Sequence, residues 1–231
     1  MTSPSILARG AAALALAALA AGAAPAMAAV NGYTARADFD AAQAGWLPQQ
    51  VTDFEGEAAG TSYPTGSGPA GSGFTLDTSA AAFGLTPSVG ATFWTTSGTH
   101  YLGLDNPDTA FYSGDSVTFS FAAPVHAFGL YVLAGRDVQP GDLQLSAGGA
   151  DVFNGGTAAA SDGNGSFAYF IGLVSTGAGF GSATLTGLNG FYVYSVDDVV
   201  LANPVPEPAS VALFGAGLVA LGFMRRRSSA R

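Results

Sequence analysis

Between residues 29 and 204 the apolar positions change period once. Ala35, Phe39, Ala42 and Trp46 fall on one helical face, with Thr34 placed as an N-cap and Gly45 near the stop, which predicts a short opening helix. Period two follows: Val117, Phe119 and Phe121 alternate with Thr118 and Ser120, and Pro124 is expected to end that strand. Val125–Leu133 reads as a long apolar strand bounded by Gly135. Further strands are predicted at Val51–Phe54, Phe74–Leu76, Ala91–Thr95, Tyr101–Leu104, Asp142–Ser146, Phe167–Val174, Ala183–Thr186 and Phe191–Leu201, separated by Gly, Pro, Asn and Asp. Thr65–Gly73 reads as a surface loop. Many short strands rich in aromatic and β-branched residues predict an all-β sandwich with a short N-terminal helix.

The two ends follow neither period. Arg9, the Ala/Leu stretch Ala11–Gly22 and the small residues Ala26 and Ala28 before Ala29 have the order of a secretory signal, so residues 1–28 are expected to be removed by signal peptidase. At the other end Val205, Pro206, Glu207 and Pro208 precede sixteen apolar or small residues, Ala209–Met224, followed by Arg225, Arg226 and Arg227. Sixteen helical residues span about 24 Å, short of the ~30 Å hydrocarbon core by an amount that thinning and arginine snorkelling absorb. A transmembrane helix is expected there, with the arginines in the cytoplasm and the body exported.

Pro-Glu-Pro, a short apolar helix and an arginine cluster, in that order over residues 205–231, resemble the PEP-CTERM sorting signal of Gram-negative bacteria. The resemblance implies that an exosortase, a membrane protease-transpeptidase, recognises the tripeptide, removes the tail and passes the body to the cell surface.

Composition sharpens the picture once the ends are set aside. The chain has seven arginines, no lysine and no cysteine, against sixteen acids, and only 10% of its residues are charged, far below the ~25% of an average domain. Five arginines lie in the terminal segments, leaving residues 29–204 with two arginines and fifteen carboxylates, a net charge of −13. Thiol catalysis, a Cys/His zinc site and lysine Schiff-base chemistry are excluded, and nothing here attracts nucleic acid.

The remaining chemistry sits in two acidic patches, Asp53 and Glu55 near the first strands and Asp197 and Asp198 in the last. Alternation puts Asp53 and Glu55 on one face, but Asp197 and Asp198 on opposite faces. If the first and last strands adjoin, these residues are candidates for a structural Ca²⁺ site, which needs oxygen ligands and no cysteine. The alternative is a set of solvated strand-end carboxylates. Phe54-Glu55-Gly56, together with an aromatic last strand ending in Asp197-Asp198-Val199, is similar to jelly-roll carbohydrate-binding and surface-protein domains, in several of which a calcium joins those strands. The resemblance implies a jelly-roll-like sandwich and assigns no sugar-binding residue.

Asp162–Ser166 reads as a turn, because it lacks the glycine and the acidic twelfth residue of a calcium loop. His126 reads as a hydrogen-bonded core or edge histidine, and neither it nor His100 is accompanied by a nucleophile elbow. Trp46, Trp94, Tyr101, Tyr112, Tyr192 and Tyr194 are core residues or members of a sugar-stacking face. Three functions stay open: a non-catalytic surface or matrix protein associated with exopolysaccharide, a carbohydrate-binding module with a defined ligand, and a glycan-active enzyme.

Overall fold

The computed structural model describes residues 29–46 and 49–205. The predicted signal peptide and transmembrane helix lie outside the described residues.

Among the described residues, fourteen strands form two antiparallel sheets packed face to face. In chain order they are β1 (Val30–Tyr33), β2 (Gln50–Thr52), β3 (Phe74–Thr78), β4 (Pro87–Gly90), β5 (Tyr101–Leu104), β6 (Phe111–Tyr112), β7 (Ser116–Val125), β8 (Ala127–Gly135), β9 (Leu143–Ala147), β10 (Ala150–Phe153), β11 (Ala160–Ser161), β12 (Ser166–Ser175), β13 (Phe180–Gly187) and β14 (Val193–Ala202). Helix α1 covers Arg36–Ala42, and a 3₁₀ turn covers Ser79–Phe83. The larger sheet runs β1-β12-β8-β14-β5-β4, with β11 on β12 and with β2 and β6 on β14; the smaller runs β10-β9-β13-β7-β3. From β7 onward the chain keeps crossing between the sheets, which ties both to one core.

Alternation builds that core. Val117 and Phe119 of β7, Leu143 and Leu145 of β9 and Leu185 of β13 face Phe128, Leu130 and Val132 of β8 and Ile171 and Leu173 of β12. Where β7 and β13 pair, the outward positions Ser116, Thr118, Ser120, Ser182, Thr184 and Thr186 are all Ser or Thr, and Thr118 and Thr184 bridge across at 3.0 Å. The larger sheet is covered on both faces, so β8 and β12 read as unbroken apolar runs. Helix α1 covers one part of its outer face. Phe39, fully buried, packs edge-on to Phe170 at 5.1 Å between ring centroids. Its seat is made by Gly129 and Gly172, register partners across β8 and β12, where a Cβ would come within 3.0 Å of the Phe39 ring.

The structure redraws several predicted boundaries. Ala35, not Thr34, is the N-cap of α1, and its side chain makes no capping bond. Strand β7 runs through Pro124 to Val125, because β7 bulges against β13: residues 121–124 of β7 face the single residue Gly181 between Ser182 and Phe180, so Pro124, which lacks an N–H, falls outside the regular ladder. The following strand begins at Ala127, after a corner at His126. Ala91–Thr95 is not a strand; it is part of a loop lying on the outer face of the larger sheet.

Candidate functional site

Strand β2 pairs with β14, Thr52 opposite Val199 and Gln50 opposite Leu201, so the early and last strands do adjoin. Their carboxylates are brought to the same loop, residues 91–100, but not to one point.

Asp197 reaches the loop from β14. Its Oδ2 accepts the Thr96 N–H at 2.8 Å, the Thr96 hydroxyl at 2.7 Å and the Ser97 N–H at 3.0 Å, while the Ser97 hydroxyl donates to Oδ1 at 3.2 Å. Asp198 Oδ2 lies 2.9 Å from the same Thr96 hydroxyl. Plain alternation separates these two aspartates; the structure unites them because β14 bulges there. Asp197 pairs with Tyr131 and Val200 with Gly129, so two residues of β14 oppose one of β8, and Asp198 takes φ +46°. The single Thr96 hydroxyl thus faces both carboxylates. Burial pushes the Asp197 carboxyl up to about 6, the Thr96 hydrogen bond opposes that rise, and the Asp198 charge adds to it.

Glu55 holds the other end of the loop. Its Oε1 accepts the N–H groups of Thr99 at 2.6 Å and His100 at 2.5 Å. These amides hold its carboxyl below the usual carboxylate value. Gly98 makes the approach possible, since it has φ +52° and a Cβ there would meet the Glu55 carboxylate at 2.2 Å. Asp53 instead accepts the Glu55 N–H at 3.1 Å, closing a local turn. Among the described residues no three of His, Asp and Glu converge as metal ligands. Asp197 and Glu55 already serve N–H and O–H donors, and the four predicted residues do not surround a common point, so this arrangement does not fit a shared Ca²⁺ and no role is derived for one.

The clamped loop carries Phe93 and Trp94 over the sheet. With Leu133, Gly135, Ser166 and Ser195 they line a mainly apolar cavity of about 160 Å³. Of the six aromatic candidates, Tyr101, Tyr192 and Tyr194 are buried; Trp46 packs on the His126 ring at 6.3 Å, and Tyr112 is exposed and bonded to Asp108. Trp94 and Tyr194 both line this cavity, Trp94 from the loop and Tyr194 from the buried side. Phe93, beside Trp94, was not among the candidates, since nothing in its residue type or spacing distinguishes it from the core phenylalanines. His126 behaves as expected, with its Nδ1 3.1 Å from Asn203 Oδ1. Asp162 closes a turn by accepting the Asn164 and Ser166 N–H groups.

Fold and site together define a two-sheet β-sandwich with a carboxylate-clamped aromatic loop on its larger sheet. Residues 204–227 match the PEP-CTERM protein-sorting motif, and the chain therefore carries a signal that implies exosortase-dependent export. No curated protein matches the chain. Among solved structures, the catalytic unit of a thermostable GH87 α-1,3-glucanase from Streptomyces thermodiastaticus strain HF3-3 is 19% identical, with a TM-score of 0.32. The match covers 71% of this chain and 28% of the glucanase, and a likeness at that level assigns neither fold nor activity. Among the described residues, no helix is long and apolar enough to cross a membrane.

Proposed function

We propose that this chain is a non-catalytic surface or matrix protein whose sandwich associates with exopolysaccharide after signal peptidase and exosortase have removed its ends. The observation that carries the reading is the sorting motif at 204–227, which follows directly on the last strand of the sandwich. A body that begins at Ala29 keeps its first contact with the fold, since the Ala29 carbonyl accepts the Thr176 N–H at 3.0 Å. Polysaccharide association is supported by Trp94 and Phe93 over a cavity the size of one sugar ring, with the hydroxyl-bearing Ser166 and Ser195 in its lining.

A non-catalytic role is supported by the state of the acid pair. A glycosidase needs two carboxyls facing its substrate across a cleft, whereas Asp197 is fully buried and held by loop donors. The mature body should be retarded on an affinity gel containing the producing strain's own exopolysaccharide, and Trp94→Ala should remove the retardation while leaving the melting midpoint nearly in place. Equal retardation of both proteins would overturn the assignment of this cavity. Release of reducing ends from the polysaccharide would overturn the non-catalytic reading.

A further inference from the structure

The cavity under the aromatic loop offers one free hydroxyl. On β14, Tyr194 and Val196 belong to the core between the sheets, so Ser195 between them faces outward, beside its register partner Leu133 of β8. Leu133 is part of the outer cluster on which Trp94 packs. Ser195 therefore lies in the cavity floor. It is 2% exposed, and among the described residues nothing bonds its hydroxyl. The other hydroxyls of the lining are engaged elsewhere. Tyr194 donates to the Asp115 carbonyl at 2.8 Å, and Ser166 is turned to Asp162, whose carboxylate takes its N–H at 3.0 Å and draws on its hydroxyl.

The rest of the lining is apolar. Leu133, Val193 and Ala110 line the same space, Phe93 and Trp94 come over it from the loop, and among the described residues no charged side chain lines it. Its depth is set by Gly135, two residues beyond Leu133 on the same strand, where a Cβ would meet nothing within 4 Å. Such a lining narrows the ligand. An unmodified sugar ring brings several hydroxyls, and each one buried without a partner weakens binding. A carboxylate loses its hydration with no cation in the lining to replace it. A bare methyl, as in a deoxy sugar, fills apolar space and leaves Ser195 unsatisfied. A carbonyl with a methyl attached meets both requirements.

We infer that the cavity takes the acetyl group of an acetylated sugar, as an ester or an acetamide. Its methyl packs on Leu133 and Val193, and Ser195 donates to its carbonyl oxygen. Phe93 and Trp94 then stack on the ring that carries the group. The inference rests on the polysaccharide reading for the source of that sugar, and it names the substituent that the reading leaves open.

The chain has two tryptophans, so Trp46→Phe leaves Trp94 as the sole indole. The protein recovered from the surface of the producing strain, in that background, is titrated with methyl N-acetylglucosaminide, methyl O-acetylglucoside and methyl glucoside while Trp94 fluorescence is followed. An acetylated glycoside should saturate the signal at about a tenth of the methyl glucoside concentration or less, and the stronger of the two tells amide from ester. Ser195→Ala, which removes no bond from the fold, should weaken the acetylated ligand by about three- to tenfold, the worth of one neutral hydrogen bond, and leave methyl glucoside unchanged. Gly135→Val fills the open floor and should abolish the response with the melting midpoint in place. Equal responses to all three glycosides, no response to any, or a Ser195→Ala variant that binds as the wild type does overturns the inference. Retention on the exopolysaccharide gel tests the broader reading separately. A protein that binds the acetylated glycoside yet runs through the gel keeps the inference and loses that reading, and the reverse result loses the inference alone.

Discussion

Replacing Asp197 with asparagine isolates the energetics of the clamp. In the folded body the Asp197 carboxyl titrates near 6 rather than 3.8, mainly because it is buried. Each unit of that difference is 1.36 kcal/mol, so ionising Asp197 in the fold costs about 3 kcal/mol. The sign follows from proton binding. Between about pH 4 and 6 the native state holds a proton on this residue that the unfolded chain has released, so its contribution to stability is present below that window and declines as pH rises through it. Above about pH 6 the loss is complete.

Asparagine keeps an oxygen for the Thr96 and Ser97 N–H groups, adds N–H donors beside Asp198, and carries no charge at any pH. Urea melts of the mature body at pH 4.5, 5.5, 6.5 and 7.5 should show Asp197→Asn gaining on the wild type as pH rises, up to about 3 kcal/mol less whatever the new hydrogen bonds fail to match. Glu55 acts in the opposite sense: its depressed carboxyl value adds stability that is lost as pH falls. That background is common to both proteins and cancels in the difference. A pH-independent difference, or a wild type that gains on the variant as pH rises, would refute the reasoning. Asp197→Ala controls for the contacts: it leaves two loop N–H groups unpartnered and should destabilise by about 2–4 kcal/mol at pH 4.5, a deficit that narrows as pH rises with the same slope as in Asp197→Asn.

Two further outcomes test the loop. Gly98→Ala forces a Cβ into the Glu55 carboxylate at a positive φ and should lower stability by about 1–3 kcal/mol, with new proteolysis within residues 91–100; an unchanged limited-proteolysis pattern would count against the clamp. Because amides and hydroxyls already occupy Asp197 and Glu55, EDTA should leave the melting midpoint in place. A clear fall, restored by Ca²⁺, would show that a bound ion stabilises the native state.

Much of the fold was legible because most core strands obey period two and are separated by strong turn residues. Tyr101–Leu104 appears as predicted, and the β7, β12, β13 and β14 runs were located to within a few residues. What failed has physical causes. The shortest strands, β6 and β11, carry no pattern of their own and exist because β14 and β12 offer open edges. Ala91–Thr95 has strand-like residues, yet it opens a loop whose amides at Thr96, Ser97, Thr99 and His100 are taken by the Asp197 and Glu55 carboxylates and not by a sheet ladder.

At the site, the adjacency of the early and last strands entered only as a condition, which the β2–β14 pairing meets, and the meeting of Asp197 and Asp198 was not legible at all. It requires a bulge with a non-glycine residue in the left-handed region, which residue type alone does not announce.

Intact-mass measurement of the protein recovered from the cell surface tests the central claim most directly. Sorting through the motif at 204–227 predicts a body that starts at Ala29 and lacks Ala209–Arg231, with any surface attachment appearing as added mass on the new C-terminus. A surface form that retains Ala209–Arg231 would contradict it.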